Sequence, residues 1–100
     1  MHARLTTIQM DPERVDQAIS QLEEEDLPTF EKIDGYRGFT AFVDRPSGKV
    51  IGISYWDSKE QMQASEEEVK APRQRAADTG GATAEPAVER FEVALDSFVR

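Results

Sequence analysis

Residues 36–57, YRGFTAFVDRPSGKVIGISYWD, hold two runs of alternating side chains on either side of Arg45-Pro46-Ser47-Gly48. Proline at the second turn position sets φ near the value of a type I turn, and glycine accepts the left-handed conformation that follows. The segment therefore reads as a β-hairpin closed by a glycine-supported bulge. In its first strand Phe39, Ala41 and Val43 alternate with Gly38, Thr40 and Phe42. In its second, Ile51, Ile53 and Tyr55 alternate with Val50, Gly52, Ser54 and Trp56. One face is strongly apolar and the other mixes small, hydroxyl and aromatic groups, so the sheet is expected to bury both faces, unequally.

Periodicity outside the hairpin sets the remaining elements. Ala3 to Met10 reads as a strand, followed by Asp11 as an N-cap and Pro12 at the first helical position. Val15, Ala18, Ile19 and Leu22 recur at helical spacing. Pro28 is expected to interrupt that helix, with Leu27, Phe30 and Ile33 forming a short further piece before a turn at Asp34-Gly35. Beyond the hairpin, Ser58 and Gln61 form a capping-box pattern. The helix they open presents Met62, Ser65, Val69, Pro72 or Arg73, and Ala76 on one side, and Pro72 is expected to kink or split it. Thr79 to Thr83 reads as a linker, and Ala87 to Val99 as a last strand that alternates in its first half.

The resulting order is βαββαβ. It predicts an α+β, ferredoxin-like fold with one antiparallel four-stranded sheet and both helices on one face, as a single domain over residues 1–100. The helices cover only one sheet face; a second copy of the chain is the simplest cover for the other, and a homodimer through the sheet faces is expected. Arg4, Thr6, Thr40, Arg90 and Glu92 are assigned to the polar sheet face, where an Arg90–Glu pair would sit inside the dimer.

Composition narrows the function. A net charge of −8 with scattered Lys and Arg argues against nucleic acid and anionic membrane as partners. The runs at Glu23–Asp26 and Glu66–Glu68 read as solvated helix faces rather than metal sites. No apolar run has membrane-spanning length and no signal-peptide pattern is visible, and the absence of cysteine fits a cytoplasmic setting. With one histidine, His2, and no cysteine, neither a Cys–His nucleophile nor a histidine-rich zinc site is available. No glycine-rich loop opens a helix after a strand, so a nucleotide phosphate cradle is absent.

The stretches SYWDSKEQMQASEE (54–67) and VERFEVAL (88–95) resemble the antibiotic biosynthesis monooxygenase family of the dimeric α+β barrel superfamily. The resemblance implies a homodimer whose sheets face each other as a barrel, with a pocket between helices and sheet in each subunit. It also implies either a cofactor-independent oxygenase of aromatic or polyketide-type phenols, or a haem-degrading enzyme. The haem-degrading branch uses an Asn, a Trp and a His whose places fall near Thr7, at Ser65 and near Arg75, and none matches. The oxygenase reading calls for no cofactor and no metal, because an electron-rich substrate reduces oxygen itself while the protein binds it, favours its deprotonated form and excludes water. Fold likeness transfers no chemistry, so a non-catalytic dimeric barrel that binds a small ligand or partner protein stands as the alternative.

Candidate pocket residues are Trp56, Ser65, Arg73, Arg75 and Tyr36. Trp56 reads first as a packed core aromatic with its N–H satisfied, and second as a pocket wall. Ser65 interrupts an apolar stripe and either meets a ligand or bonds a carbonyl one turn back. Arg73 and Arg75 either face an anionic substrate or sit among surface carboxylates, and Tyr36 is a candidate proton donor.

Overall fold

A computed structural model describes residues 1–98. Strands β1 (His2–Gln9), β2 (Tyr36–Asp44), β3 (Lys49–Trp56) and β4 (Ala87–Glu92) form one antiparallel sheet in the order β2-β3-β1-β4. The helical path between β1 and β2 comprises α1 (Val15–Gln21), a π-helical turn (Leu22–Asp26) and α2 (Leu27–Phe30); α3 (Lys59–Ala64) and α4 (Glu66–Thr79) lie between β3 and β4. This is the expected βαββαβ order. The last strand stops at Glu92, short of the expected extent, and Val99 lies outside the described residues.

The hairpin closes as its turn chemistry requires. The Gly48 N–H donates to Asp44 O at 2.9 Å, and Gly48 takes φ +81°. The same glycine is buried against the start of the first helical segment. A Cβ there would stand 2.2 Å from Met10 O and 2.9 Å from Pro12 N, both backbone atoms. Gly48→Ala therefore combines left-handed strain with a collision that no side chain can relieve. It is expected to cost about 2–4 kcal/mol, read as a lowered urea midpoint at unchanged m-value.

Hairpin register decides which residues share a face. Val43 pairs with Val50, Ala41 with Gly52 and Phe39 with Ser54. The apolar set of β2 thus joins the mixed set of β3, rather than Ile51, Ile53 and Tyr55, and this shared face lies under the helices. Across β1 the same face continues with Arg4, Thr6 and Ile8, and on β4 with Val88 and Arg90. Thr40 pairs with Ile53 and so belongs to the opposite face, apart from Arg4, Thr6 and Arg90, with which it was expected.

A bulge at Arg37 shifts the pairing between Tyr36 and Gly38, where Gly38 takes φ +148°. One extra residue reverses the alternation. Tyr36 therefore turns to the helix side, although simple alternation groups it with Gly38 and Thr40. Its ring meets Trp56 edge-on, at 5.6 Å and 74°, and lies 6.3 Å from Phe30.

Pro28 interrupts the first helical segment as expected, and the short further piece is α2, whereas Pro72 does not split its helix. The turn ahead of Pro28 widens to the π form, with the Leu27 N–H donating to Leu22 O, and this gives the proline ring room that a regular α-turn denies. The path then runs on to Phe30. In the second helical segment α4 passes through Pro72, and the break falls seven residues earlier, at Ser65. The Ser58 cap forms as expected, accepting from the Gln61 N–H at 3.1 Å, whereas the N-cap of α1 is Arg14 rather than Asp11, whose Oδ1 accepts from the Glu13 N–H at 2.9 Å. Asp11 caps a leading turn, and α1 itself begins at Val15.

Ile8, Met10, Val15, Ala18, Val50 and Ala77 form the packed core at one end of the helix–sheet interface. Trp56, Met62 and Ser65 are fully buried at the other. On the opposite sheet face Leu5, Ile51, Ile53 and Tyr55 keep partial exposure, while Phe42 and Phe91 are about half exposed at 56% and 48%. Among the described residues no helix is long and apolar enough to cross a membrane.

Candidate functional site

Between the packed core and Trp56 lies a half-open cavity of about 90 Å³. Its walls are apolar, with Leu22, Phe30, Phe39, Val69 and Pro72 prominent, and its polar end carries Arg4 and Arg73. Gly52 on the floor makes this packing possible, because a Cβ there would stand 2.8 Å from the Phe39 ring that crosses it.

The polar end is built around a buried arginine. Arg4 is only 3% exposed, since its register on β1 aims it at the helices. Its Nη2 donates to Met62 O at 2.6 Å and Ser65 Oγ at 2.9 Å, and its Nε donates to Glu66 Oε1 at 3.1 Å. The guanidinium carbon lies 5.5 Å from the Trp56 ring centroid, a cation–π arrangement. The Trp56 Nε1–H donates to Ser54 Oγ at 2.9 Å. The Ser65 hydroxyl donates back to Met62 O at 2.6 Å, and the helix breaks at this residue.

Glu66 gathers three cations. Arg4 and Arg90 both reach Oε1, Arg90 Nε donating at 2.8 Å, and Arg73 Nη2 stands 3.8 Å from Oε2. Burial pushes the Glu66 carboxyl up, but the hydrogen bonds and charges of Arg90 and Arg4 outweigh it and hold the group below its ordinary value. Burial lowers Arg4 from its ordinary value against the opposing pull of Glu66. The Glu66 hydrogen bond raises Arg90. The Tyr36 phenol is raised first by burial and then by Glu31, so it stays protonated at neutral pH.

Two of the five candidates from the sequence, Trp56 and Arg73, line the cavity. Ser65 sits behind it as a support for Arg4, and Tyr36 supports Trp56 from outside the lining. Arg75 is turned away and pairs with the buried carboxylate of Asp26, tying α4 to the π-helical turn. Sequence reasoning passed over Arg4 and Glu66 as members of a site. The available signal was the alternation of Arg4 with Ile8 and Met10 on one strand face. The Arg90–carboxylate pair exists, but its partner is Glu66 on the helix side rather than a group inside a dimer barrel. Among the described residues no group of three or more His, Asp or Glu could hold a metal ion.

One helical layer on a four-stranded antiparallel sheet, with an arginine-ended apolar cavity between them, defines a ferredoxin-like α+β protein. The chain belongs to the antibiotic biosynthesis monooxygenase family, whose profile matches residues 1–77. It is 40% identical over 94 residues to the uncharacterised protein Rv2557 of Mycobacterium tuberculosis, covering 94% of this chain and 41% of that protein. The chain thus spans about two fifths of the length of the curated relative it matches. Its fold is similar to that of the ActVA-Orf6 monooxygenase of Streptomyces coelicolor, solved with nanaomycin D (TM-score 0.81, 11% identity, 99% of this chain and 92% of that one). It is also similar to the haem-degrader MhuD of Mycobacterium tuberculosis, solved with two haems bound (TM-score 0.70, 19% identity, 98% of this chain and 100% of that one).

Proposed function

We propose that this chain binds an aromatic small molecule in the helix–sheet cavity and oxidises it as a cofactor-independent monooxygenase of phenols. The observation that carries this reading is an apolar, partly open cavity with two arginines at one end. Apolar walls take the ring and exclude water, and the guanidinium charge favours the phenolate over the phenol. A phenolate is electron-rich enough to reduce oxygen directly. The oxidised ring carbon loses its one hydrogen and the phenol its proton, one oxygen atom becomes the new carbonyl, the other leaves with those two hydrogens as water, and the product is a quinone. Family membership and the fold shared with the ActVA-Orf6 monooxygenase support the same class.

The size of the cavity favours a second reading. At about 90 Å³ it holds no more than a single ring, against roughly 300–1,000 Å³ for typical ligand sites. A polycyclic substrate requires the helices to move outward. Without that motion the cavity admits single-ring molecules alone, and the second reading is a non-catalytic binder of small ligands or partners. Haem exceeds the cavity in any case, Thr7 lies on the opposite sheet face, and Arg75 is held by Asp26.

Oxygen uptake with a panel of anthrones, quinols and simple phenols separates the readings. Expected is uptake matched one to one by quinone, and reduced by Arg73→Met or Trp56→Phe. Binding without uptake across the panel selects the non-catalytic reading. A homodimer through the open sheet face is part of the same proposal, and the half-exposed Phe42 and Phe91 on that face support it. Light scattering should give twice the 11.2 kDa chain mass, and Phe42→Asp should halve it. A monomeric wild-type chain would sink the dimer.

A further inference from the structure

The cavity's polar end holds more positive charge than the fold uses. Among the described residues Glu66 is the only carboxylate within ion-pair distance of Arg4, Arg73 or Arg90, so three guanidinium groups share one negative charge. Arg4 directs its donors to Met62, Ser65 and Glu66, and Arg90 directs its Nε to Glu66. Arg73 differs. Its Nη2 is buried, has no hydrogen-bond partner and stands 3.8 Å from Glu66 Oε2, too far for one. Its side chain is only 18% exposed and lines the cavity. A buried cationic donor without an acceptor is costly unless something fills the place.

We infer that Arg73 is the carboxylate subsite of this cavity, and that the ligand is an aromatic acid: a single ring in the apolar part, its carboxylate on the inner nitrogen of Arg73. A carboxylate suits the place better than a neutral oxygen. It is ionised at neutral pH, it balances the excess charge, and its planar oxygens match a guanidinium. The inference rests on the proposed aromatic-binding cavity and deepens it, because the phenol that fits would be a hydroxyaryl carboxylate. The ring matches the room available, since an engineered apolar cavity of roughly 150 Å³ accepts benzene and this smaller one is partly open.

Trp56 is the only tryptophan and lines the cavity, so its single indole N–H resonance in a ¹H–¹⁵N spectrum reports binding there. Benzoate and its neutral counterpart benzyl alcohol serve as probes. Benzoate should bind on the order of tenfold more tightly than benzyl alcohol. Arg73→Met should erase that ratio while leaving benzyl alcohol within about twofold, and Arg73→Gln should behave likewise. Equal binding of the two probes to the wild-type chain overturns the carboxylate subsite and leaves the aromatic cavity standing. An unchanged ratio in a folded Arg73 variant overturns it too. If neither probe shifts the indole resonance, the cavity reading falls, and the subsite with it.

Discussion

Trp56→Ala should lower stability by about 3–5 kcal/mol, the range for deleting a fully buried large aromatic. For a domain of this size that corresponds to a melting temperature roughly 12–40 °C lower. Trp56 has no exposed surface, meets Tyr36 edge-on, lies under the Arg4 guanidinium and donates its N–H to Ser54. Truncation removes all three contacts and enlarges the cavity beside them. Trp56→Phe keeps most of the apolar area and leaves the buried Ser54 hydroxyl without its donor, so about 1–2 kcal/mol is expected. Thermal denaturation of both variants checks the ordering. Near-equal losses would mean that the indole N–H, rather than the packed ring, holds this end of the interface together.

Glu66→Gln and Arg4→Met should differ sharply, although they break the same ion pair. Removing the Glu66 charge leaves three arginines facing one another, with Arg4 buried at 3% exposure, and should cost about 2–4 kcal/mol. Removing Arg4 leaves no such residue of charge. Glu66 keeps Arg90, Ser65 still donates to Met62 O, and methionine fills the channel along Trp56, so the loss should stay within about 1 kcal/mol. The pH dependence follows from the same group. Glu66 is held below its ordinary value of 4.5, so its stabilisation is present above that pH and is lost as pH falls through the lower folded value. The gap between wild type and Glu66→Gln should therefore close on acidification below 4.5. Urea midpoints across an acid series measure it; a gap that persists or widens there would contradict the assigned direction.

Local chemistry accounts for what was legible beforehand. The Gly48 turn, the Ser58 cap and the helical stripe from Val15 each depend on residues within one or two turns of chain, and each formed. Pro28 was legible as an interruption, though not the π form it takes, and Pro72 was misread because the break falls at an earlier turn. A π-helical turn made room for Pro28, and Ser65, bonded to Met62 O and Arg4, took the break expected at Pro72. The site was legible only in part. Trp56 and Arg73 were singled out and line the cavity, whereas Arg4 and Glu66 were not grouped because 62 positions separate them. Sequence periodicity has no access to a pairing of that range.

The chain's own pattern determined the element order, the hairpin and the surplus of apolar sheet surface, because alternation, turn residues and caps act between near neighbours. Tertiary structure alone decided the register that joins Phe39 and Ala41 to Gly52 and Ser54, and the bulge at Arg37 that turns Tyr36 inward. It also decided the convergence of Arg4, Arg73 and Arg90 on one carboxylate. In a pleated sheet a one-residue shift exchanges the two faces. Which arginine enters the cavity, and which meets water, was therefore settled only when the strands paired beneath the helices.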